Sequence, residues 1–317
     1  MPLKRSLLFP LLAAALAIAF QVHAIAPGPK ANHLTPFIAR GILLAGMEHE
    51  MDSVATADLA LTKTEANTTC IATYCQEAAL SCVKDKDCRA ALSCLSSCDE
   101  LEDNTPDKIE LQKCTADCVV TYENDALDNV NACFDSHDCI TLTPIPLTCR
   151  DTSMAAPALS NITLMEGKWW ATYGKNAVYD CYPCQRLTFS PIDQTVWLYD
   201  SKYLTPTLDG GVRAYELQAA FPWPADGMAS AIAFNYTYQG MSHGEEWRFL
   251  HVDPSVVILY YCGRGNTWNY EGGLVLSRER NSPPEHAAMA REVFGNIGID
   301  FDSEFCTLQP NKPCPGF

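Results

Sequence analysis

The uneven distribution of cysteine constrains the fold of this chain more than any other feature of its sequence. Eleven of the sixteen cysteines lie between Cys70 and Cys149, where they make up about 14% of the residues. Above roughly 8–10%, a short segment is typical of a disulfide-bonded scaffold. We therefore expect folding in an oxidising compartment, with one part stapled by disulfides and another part built around a conventional hydrophobic core.

The spacing of four of these cysteines predicts how two helices pair. Cys94 and Cys98 are four residues apart, and so are Cys114 and Cys118. Because residues i and i+4 lie on one face of a helix, two antiparallel helices would join the first cysteine of one to the last of the other. The predicted disulfides are Cys94–Cys118 and Cys98–Cys114.

The connectivity of the other cysteines in this segment is not fixed by the sequence. Four of them repeat the nested arrangement, namely Cys70, Cys75, Cys82 and Cys88. Two more would close a small local loop, namely Cys133 and Cys139. We expect no metal site here, because the segment has no Cys-x-x-Cys pair and His137 is its only histidine.

The N-terminal 57 residues predict a targeting presequence. Lys4 and Arg5 precede an apolar run from Ser6 to Phe20, which is typical of a signal peptide that ends near residue 24. Ile25 to Met47 is again basic and free of acids, and the whole resembles the two-part presequences of algae with complex plastids. The plastid, and within it the thylakoid lumen, is the first expectation, and plain secretion is the alternative.

The chain is strongly acidic. Its formal charge of −16 at pH 7 argues against a nucleic-acid partner, which would require a basic face. Ten acids against two lysines lie between Asp99 and Asp128. Such a run is either an ordinary solvated face or a surface that loses mutual repulsion on acidification, which would favour a homodimer or contact with thylakoid membrane lipid at acid pH.

Beyond about residue 160 the pattern changes to short β-rich runs separated by turn signals. Eight runs in roughly 120 residues predict an up-and-down barrel wide enough for one small ligand. The runs are Trp169–Tyr173, Arg186–Phe189, Val196–Tyr199, Ala214–Ala219, Ala231–Tyr238, Trp247–His251, Val256–Tyr261 and Leu274–Leu276. The chain is thus predicted to be mainly β, with a presequence at 1–57, a cysteine-rich helical domain at 58–150, an eight-stranded barrel at 160–281, and a C-terminal helix and tail at 282–317.

The ends of the barrel segment resemble the lipocalin signature. Gly167, Lys168 and Trp169 open the first predicted strand, and Arg278 follows the last one. In lipocalins such an arginine packs over the tryptophan at the closed end of the barrel. The resemblance therefore implies a lipocalin-like barrel.

Several motifs together resemble the violaxanthin de-epoxidase family, from about Ala60 to Cys306. They are, in chain order, Gly-Lys-Trp-Trp, Tyr-Asp-Cys, Glu-Glu-Trp, Tyr-Tyr-Cys-Gly-Arg-Gly-Asn-Thr-Trp and Gly-Gly. The resemblance implies that the barrel holds a xanthophyll, that ascorbate is the reductant, and that acidification of the thylakoid lumen switches on activity. It implies a catalytic carboxyl at Glu245 and a catalytic tyrosine at Tyr261.

The chain also departs from the family pattern. Cys262 stands where the family has Arg, Asn269 where it has Asp, and Glu245 where the plant enzymes carry Asp. The pair Cys181 and Cys184 replaces a single cysteine. These departures place the chain nearer the de-epoxidase-like or de-epoxidase-related branches and leave the particular xanthophyll open.

The Cys181-x-x-Cys184 pair has two interpretations. It is either a redox dithiol or part of structural disulfides, for which Cys306 and Cys314 are available partners. The sequence contains no Gly-x-Gly-x-x-Gly or P-loop element. We therefore expect no nucleotide cofactor and no metal, with ascorbate as a co-substrate.

Strand alternation provides an independent test of the site. If Trp247 and Phe249 face the lumen of the barrel, so does Glu245, while Tyr261 faces it from the next strand. Because burial raises the pKa of a carboxyl, a neutral Glu245 would act as a general acid on an epoxide oxygen. The alternative is a barrel that binds carotenoid or lipid without chemistry. The residues expected to contact substrate are Trp247, Phe249, Leu259 and Trp268.

Overall fold

A computed structural model describes residues 64–104, 108–142, 149–150, 152, 161–223, 231–265, 269–308 and 314. The presequence expected at 1–57 and the predicted substrate contact Trp268 lie outside these ranges. Among the described residues, no helix is long and apolar enough to cross a membrane.

The described part of the cysteine-rich segment forms five helices and a two-stranded sheet. Two helices begin at asparagines whose side chains accept a backbone hydrogen bond, Asn67 from Cys70 N at 2.9 Å and Asn124 from Leu127 N at 3.0 Å. The helices are α1 (Thr68–Tyr74), α2 (Gln76–Lys84), α3 (Lys86–Asn104), α4 (Lys108–Tyr122) and α5 (Asp125–Ser136). The strands are β1 (Thr64–Ala66) and β2 (Ile140–Leu142).

Five disulfides staple these helices. The two predicted from helical spacing, Cys94–Cys118 and Cys98–Cys114, are confirmed and join α3 to α4. The nested pairing predicted for the first four cysteines is wrong, and so is the local loop between Cys133 and Cys139. The observed bonds are Cys70–Cys139, Cys75–Cys133 and Cys82–Cys88.

The wrong pairings have a physical cause, which is that the two ends of this domain meet. β1 and β2 pair antiparallel, and Asn67 N donates a hydrogen bond to Cys139 O at 2.8 Å. The start of α1 therefore lies beside the end of α5. Cys70 bonds to Cys139, 69 residues away, instead of to a local partner.

Eight antiparallel strands follow and form a nearly closed barrel. They are β3 (Gly167–Gly174), β4 (Arg186–Pro191), β5 (Val196–Pro206), β6 (Val212–Pro222), β7 (Ala231–Tyr238), β8 (Met241–Val252), β9 (Val256–Gly265) and β10 (Asn269–Ser277). In space the order is β6-β5-β4-β3-β10-β9-β8-β7, so that β6 and β7 meet at the seam. Each predicted run falls within one strand, and the mainly β, lipocalin-like architecture is confirmed.

Trp169 and Arg278 close one end of the barrel. The guanidinium carbon of Arg278 lies 3.6 Å from the centre of the Trp169 ring. Its Nη1 and Nη2 donate to the carbonyl oxygens of Lys168 and Leu164 at 3.0 and 2.9 Å. The indole Nε1 of Trp169 donates to Met165 O at 2.7 Å. This is the arrangement that the lipocalin resemblance implies.

Aromatic side chains fill the barrel above this closed end. Along β5 every second residue from Trp197 to Thr205 is buried, while the residues between them are partly exposed. The rings of Phe189, Phe221 and Phe249 are each 1% exposed and belong to one contiguous core. The closed half of the barrel is therefore packed with side chains, and the more open half carries the polar groups.

The C-terminal segment covers the outer wall of the barrel. It consists of α6 (Pro284–Gly295), α7 (Phe301–Glu304) and the short β11 (Cys306–Thr307), which pairs with β3. Phe294 of α6 is fully buried against outward-facing side chains of β9 such as Ile258. The helix predicted after residue 282 thus packs on the barrel.

We predict that Arg278→Lys lowers the free energy of unfolding by about 1–3 kcal/mol, because lysine lacks the planar fork that bonds two carbonyls and stacks on the indole. Urea denaturation followed by tryptophan fluorescence measures the change. Arg291→Lys is the control, since the Arg291 side chain is half exposed and pairs with Asp302 at the surface. Equal losses in the two variants would contradict the role given to Arg278.

Candidate active site

Strand β8 places one carboxyl inside the barrel. Trp247 and Phe249 point into the core, where they are 2% and 1% exposed. The intervening Glu246 and Arg248 face outward and form an ion pair at 2.6 Å. By the same alternation, the Glu245 side chain points into the lumen.

Three donors from three strands hold both oxygens of Glu245. Oε1 accepts hydrogen bonds from the hydroxyls of Tyr236 and Tyr270, each at 2.7 Å, and Oε2 accepts one from Trp247 Nε1 at 2.6 Å. Burial raises the pKa of the Glu245 carboxyl, and the three donors, which favour the ion, oppose that shift without cancelling it. Glu245 therefore takes up a proton at a higher pH than an exposed glutamate does.

A second carboxyl, Asp180, bonds to the predicted catalytic tyrosine. The Tyr261 hydroxyl donates to Asp180 Oδ1 at 2.6 Å. Asp180 is 2% exposed, and burial raises its pKa to about 7 in spite of the hydrogen bonds that it accepts. Burial also raises the pKa of Tyr261 well above its ordinary value, so the phenol stays protonated. The barrel thus holds two carboxyls of raised pKa.

The loop between β3 and β4 positions Asp180, which the sequence analysis did not single out. Asp180 Oδ2 accepts hydrogen bonds from Asn176 N at 2.9 Å and from Gly273 N at 3.2 Å. Gly174 leaves room for it, because a Cβ there would lie 2.5 Å from the Asp180 Cβ. The only sequence signal for Asp180 is its place in the Tyr-Asp-Cys motif, since strand alternation does not extend into a loop.

Two glycines make room for the phenol rings of the site. A Cβ on Gly272 would lie 2.1 Å from Cζ of Tyr261, and a Cβ on Gly263 would lie 2.1 Å from Cζ of Tyr270. Each ring therefore lies directly against the backbone of the neighbouring strand. The Gly-Gly and Cys-Gly-Arg motifs of the sequence thus bring the two hydroxyls within reach of the carboxyls.

The other predicted contact residues form the floor of the site. Phe249 and Leu259 stand opposite each other on β8 and β9, one step closer to the closed end than the Trp247 and Tyr261 pair. Neither is more than 1% exposed. The structure therefore brings together Glu245 and four of its predicted neighbours.

His243 lies on the other side of Glu245, toward the mouth of the barrel. Its ring stacks on that of Tyr236, with ring centres 5.2 Å apart. Neither ring nitrogen has a hydrogen-bond partner among the described residues. Burial lowers the pKa of His243 to about 4, so the ring stays neutral well below the usual titration range of histidine.

The Cys181-x-x-Cys184 pair is structural. Cys181 is bonded to Cys306 and Cys184 to Cys314, in agreement with the structural interpretation of the pair. These bonds tie the loop that carries Asp180 to the C-terminal segment. The redox-dithiol interpretation is wrong for this disulfide-bonded state.

Within the described ranges, one group of metal-ligating side chains comes close together. The sulfurs of Cys98, Cys114 and Cys118 lie within 4.8 Å of one another. All three are in disulfides, so none offers the thiolate that binds a metal ion. The carboxyls of Glu245 and Asp180 already accept hydrogen bonds from the hydroxyl, indole and backbone donors around them.

Comparison with known protein families places the chain. The model of the VDE lipocalin domain matches residues 67–310. The chain belongs to the violaxanthin de-epoxidase family. It is 24% identical over 232 residues to the chloroplastic violaxanthin de-epoxidase of Arabidopsis thaliana, and 24% identical over 230 residues to that of Nicotiana tabacum. Each alignment covers 69% of this chain, which spans about half the length of these curated relatives (48% and 46%).

Two solved structures are also similar to this chain. Lobster apocrustacyanin A1 covers 54% of this chain and 92% of its own, with 17% sequence identity and a TM-score of 0.41. Apocrustacyanin C2 covers 49% of this chain and 82% of its own, with 17% identity and a TM-score of 0.37.

Gly272→Ala tests the packing of Tyr261. The new methyl group pushes the phenol away from Asp180, so we expect the free energy of unfolding to fall by about 1–3 kcal/mol and near-ultraviolet circular dichroism of the tyrosines to change. Gly295→Ala is the control, because a Cβ there meets nothing within 4 Å. A Gly272→Ala protein as stable as the control would show that the ring does not depend on this glycine.

Asp180 predicts a pH-dependent stability. Its folded pKa of about 7 lies above the ordinary 3.8, so between these values the native state binds more protons than the unfolded state. The contribution of Asp180 to stability is therefore present at low pH and is lost as pH rises toward about 7. Thermal unfolding from pH 4 to pH 8 should show a steeper loss for wild type than for Asp180→Asn, and parallel profiles would refute the raised pKa.

Proposed function

We propose that this protein is a xanthophyll de-epoxidase in which Glu245 is the general acid and ascorbate is the reductant. The observation that supports it most directly is a carboxyl of raised pKa held by two phenols and an indole in an aromatic-lined barrel. A carboxyl whose pKa is raised by burial suits the proton donation that opens an epoxide on a polyene. Family membership and the names of the relatives suggest the reaction class.

The reaction removes the epoxide oxygen as water and consumes two electrons and two protons. Glu245 donates a proton to the oxygen as the first C–O bond breaks, and the positive charge spreads over the polyene. Ascorbate loses two electrons and two protons and becomes dehydroascorbate. The electrons form the C=C bond as the second C–O bond breaks and water leaves, and a proton returns to Glu245.

Tyr261 is proposed to orient the epoxide or to relay a proton. Its hydroxyl stays protonated and donates its one proton to Asp180 Oδ1 at 2.6 Å, so the lone pairs of its oxygen are what it can offer to a ligand. The raised pKa of Asp180 makes that carboxyl a proton store at the same pH. In this scheme Asp180 is a positioning residue that acts through Tyr261.

The polyene is proposed to lie against the apolar floor of the site. Trp247, Phe249 and Leu259 offer flat or branched apolar surface next to the carboxyl. Trp268 remains a proposed contact, and it lies outside the described residues. Residues of this kind suit a carotenoid end ring better than a charged ligand.

The proposed compartment is the thylakoid lumen of a plastid, because the violaxanthin de-epoxidases of Arabidopsis thaliana and Nicotiana tabacum are chloroplastic. Acidification there would protonate Glu245 and Asp180. Contact with thylakoid membrane lipid, from which a xanthophyll would be taken, and a homodimer at acid pH belong to the same proposal.

A non-catalytic carotenoid or lipid carrier is the second candidate. It is favoured by one observation, namely that Glu245 is fully hydrogen-bonded within the protein, as a purely structural carboxyl is. Both functions predict bound pigment, so turnover is what separates them.

Substitution of Glu245 distinguishes the enzyme from the carrier. Glutamine keeps the size of the side chain and removes its acidity, so Glu245→Gln should lower turnover of violaxanthin by about 10²–10⁴-fold while pigment binding is retained. Glu245→Asp should keep activity with the same acid optimum. The assay is incubation with violaxanthin or diadinoxanthin, ascorbate and galactolipid at acid pH, followed by chromatography.

Glu246→Gln is the matched control, because Glu246 is the next carboxyl on the same strand and faces outward. It should turn over like wild type. Equal turnover by wild type and Glu245→Gln would show that Glu245 is not the general acid and would favour the carrier.

A further inference from the structure

A layer of tyrosines covers Glu245 on the side toward the mouth of the barrel. Tyr238 follows Tyr236 on the same face of β7, about 6.6 Å further along the strand. The Tyr238 hydroxyl accepts a hydrogen bond from the Tyr203 hydroxyl at 2.8 Å, and its ring meets that of Tyr215 edge-on with centres 5.8 Å apart. Tyr203 and Tyr215 are each 8% exposed and Tyr238 is partly exposed, so the layer is largely covered.

The end of helix α4, in the cysteine-rich domain, lies on this layer. Val120 is 3% exposed and packs with Tyr203 and Tyr215, and its carbonyl oxygen accepts a hydrogen bond from the Tyr215 hydroxyl at 3.4 Å. Thr121 Oγ1 accepts a hydrogen bond from Leu208 N at 2.9 Å. These contacts join α4 to strands β5 and β6 at the mouth.

Helix α5 closes the opposite rim of the mouth, at the turn between β7 and β8. Asn131 Nδ2 donates to Gln239 O at 3.1 Å, and Ser242 N donates to a carboxylate oxygen of Asp135 at 3.0 Å. The turn touches the helix so closely that a Cβ on Gly240 would lie 2.1 Å from the carbonyl oxygen of Asp128. The cysteine-rich domain therefore spans the mouth from rim to rim.

We propose that the end of α4, with Val120 at its centre, is the roof of the ligand cavity, and that a ligand reaches Glu245 only after the cysteine-rich domain lifts from the tyrosine layer. The proposal rests on the proposed function for the identity of the ligand, an apolar polyene. On this proposal the cysteine-rich domain sets which ligands enter the barrel.

The rim contacts suit a domain that lifts. Two polar side-chain atoms there are buried without a hydrogen-bond partner among the described residues, namely Asp128 Oδ1 and Asp135 Oδ1. When the cysteine-rich domain packs on the barrel, these atoms lose their hydrogen bonds to water and gain none from the protein, which destabilises the closed state. Lifting the domain would return each of them to water.

Two substitutions loosen the roof without touching the carboxyl site. Gly240→Ala wedges the turn away from α5, and Asn131→Ala removes the hydrogen bond to Gln239 O. Gly210→Ala is the matched control for the wedge, because Gly210 has φ +82° against +78° for Gly240, so both alanines carry the same backbone strain, while a Cβ on Gly210 meets nothing within 4 Å. Asn131→Ala keeps the test available if the wedge disturbs folding.

The experiment measures entry of the ligand rather than chemistry. Zeaxanthin, a polyene without an epoxide, is mixed with the protein in galactolipid micelles, and stopped-flow quenching of tryptophan fluorescence gives the association rate. Gly240→Ala and Asn131→Ala should each bind about fivefold faster than wild type, with Gly210→Ala unchanged.

Association rates in both variants equal to wild type would overturn the roof and point to entry through the seam between β6 and β7. If zeaxanthin quenches the tryptophan fluorescence of neither wild type nor any variant, both the proposed roof and the proposed ligand are contradicted. If zeaxanthin quenches the fluorescence and associates faster with both variants, but the protein does not turn over violaxanthin, the proposed chemistry is refuted and the proposed roof is supported.

Discussion

A carboxyl inside an apolar barrel is the constraint on which the rest of this site depends. Removing Glu245 from water disfavours its ionised form, and that effect can be limited only by donors that reach both of its oxygens. The donors come from β7, β8 and β10, so the barrel must close for them to converge. The balance leaves the pKa raised, which is the property that a general acid for mildly acid conditions needs.

The same demand explains features that look unrelated in the sequence. Gly263 and Gly272 let phenol rings lie against the backbone so that their hydroxyls meet carboxyls. The disulfide from Cys181 to Cys306 anchors the loop in which Asp180 is buried. The cysteine-rich domain packs over the open end of the barrel, where α4 contacts β5 and β6 and α5 contacts the turn between β7 and β8.

Features encoded by local spacing were predictable from the sequence, and features that depend on distant contacts were not. The strands and the inward position of Trp247 followed from alternation, and Cys94–Cys118 followed from the i, i+4 rule. The bond between Cys70 and Cys139 depends on the pairing of two short strands, which no spacing reports. Asp180 was missed for the same reason, because its contact with Tyr261 joins a loop to a strand 81 residues away.

The most direct test of this account is a crystal structure with a bound epoxy-xanthophyll, obtained with the Glu245→Gln protein so that the substrate persists. If Glu245 is the general acid, the epoxide oxygen lies within about 2.6–3.2 Å of the side chain at position 245, with the end ring on Trp247 and beneath the tyrosine layer. A pigment bound outside the barrel, or inside it with the epoxide away from position 245, would contradict the account.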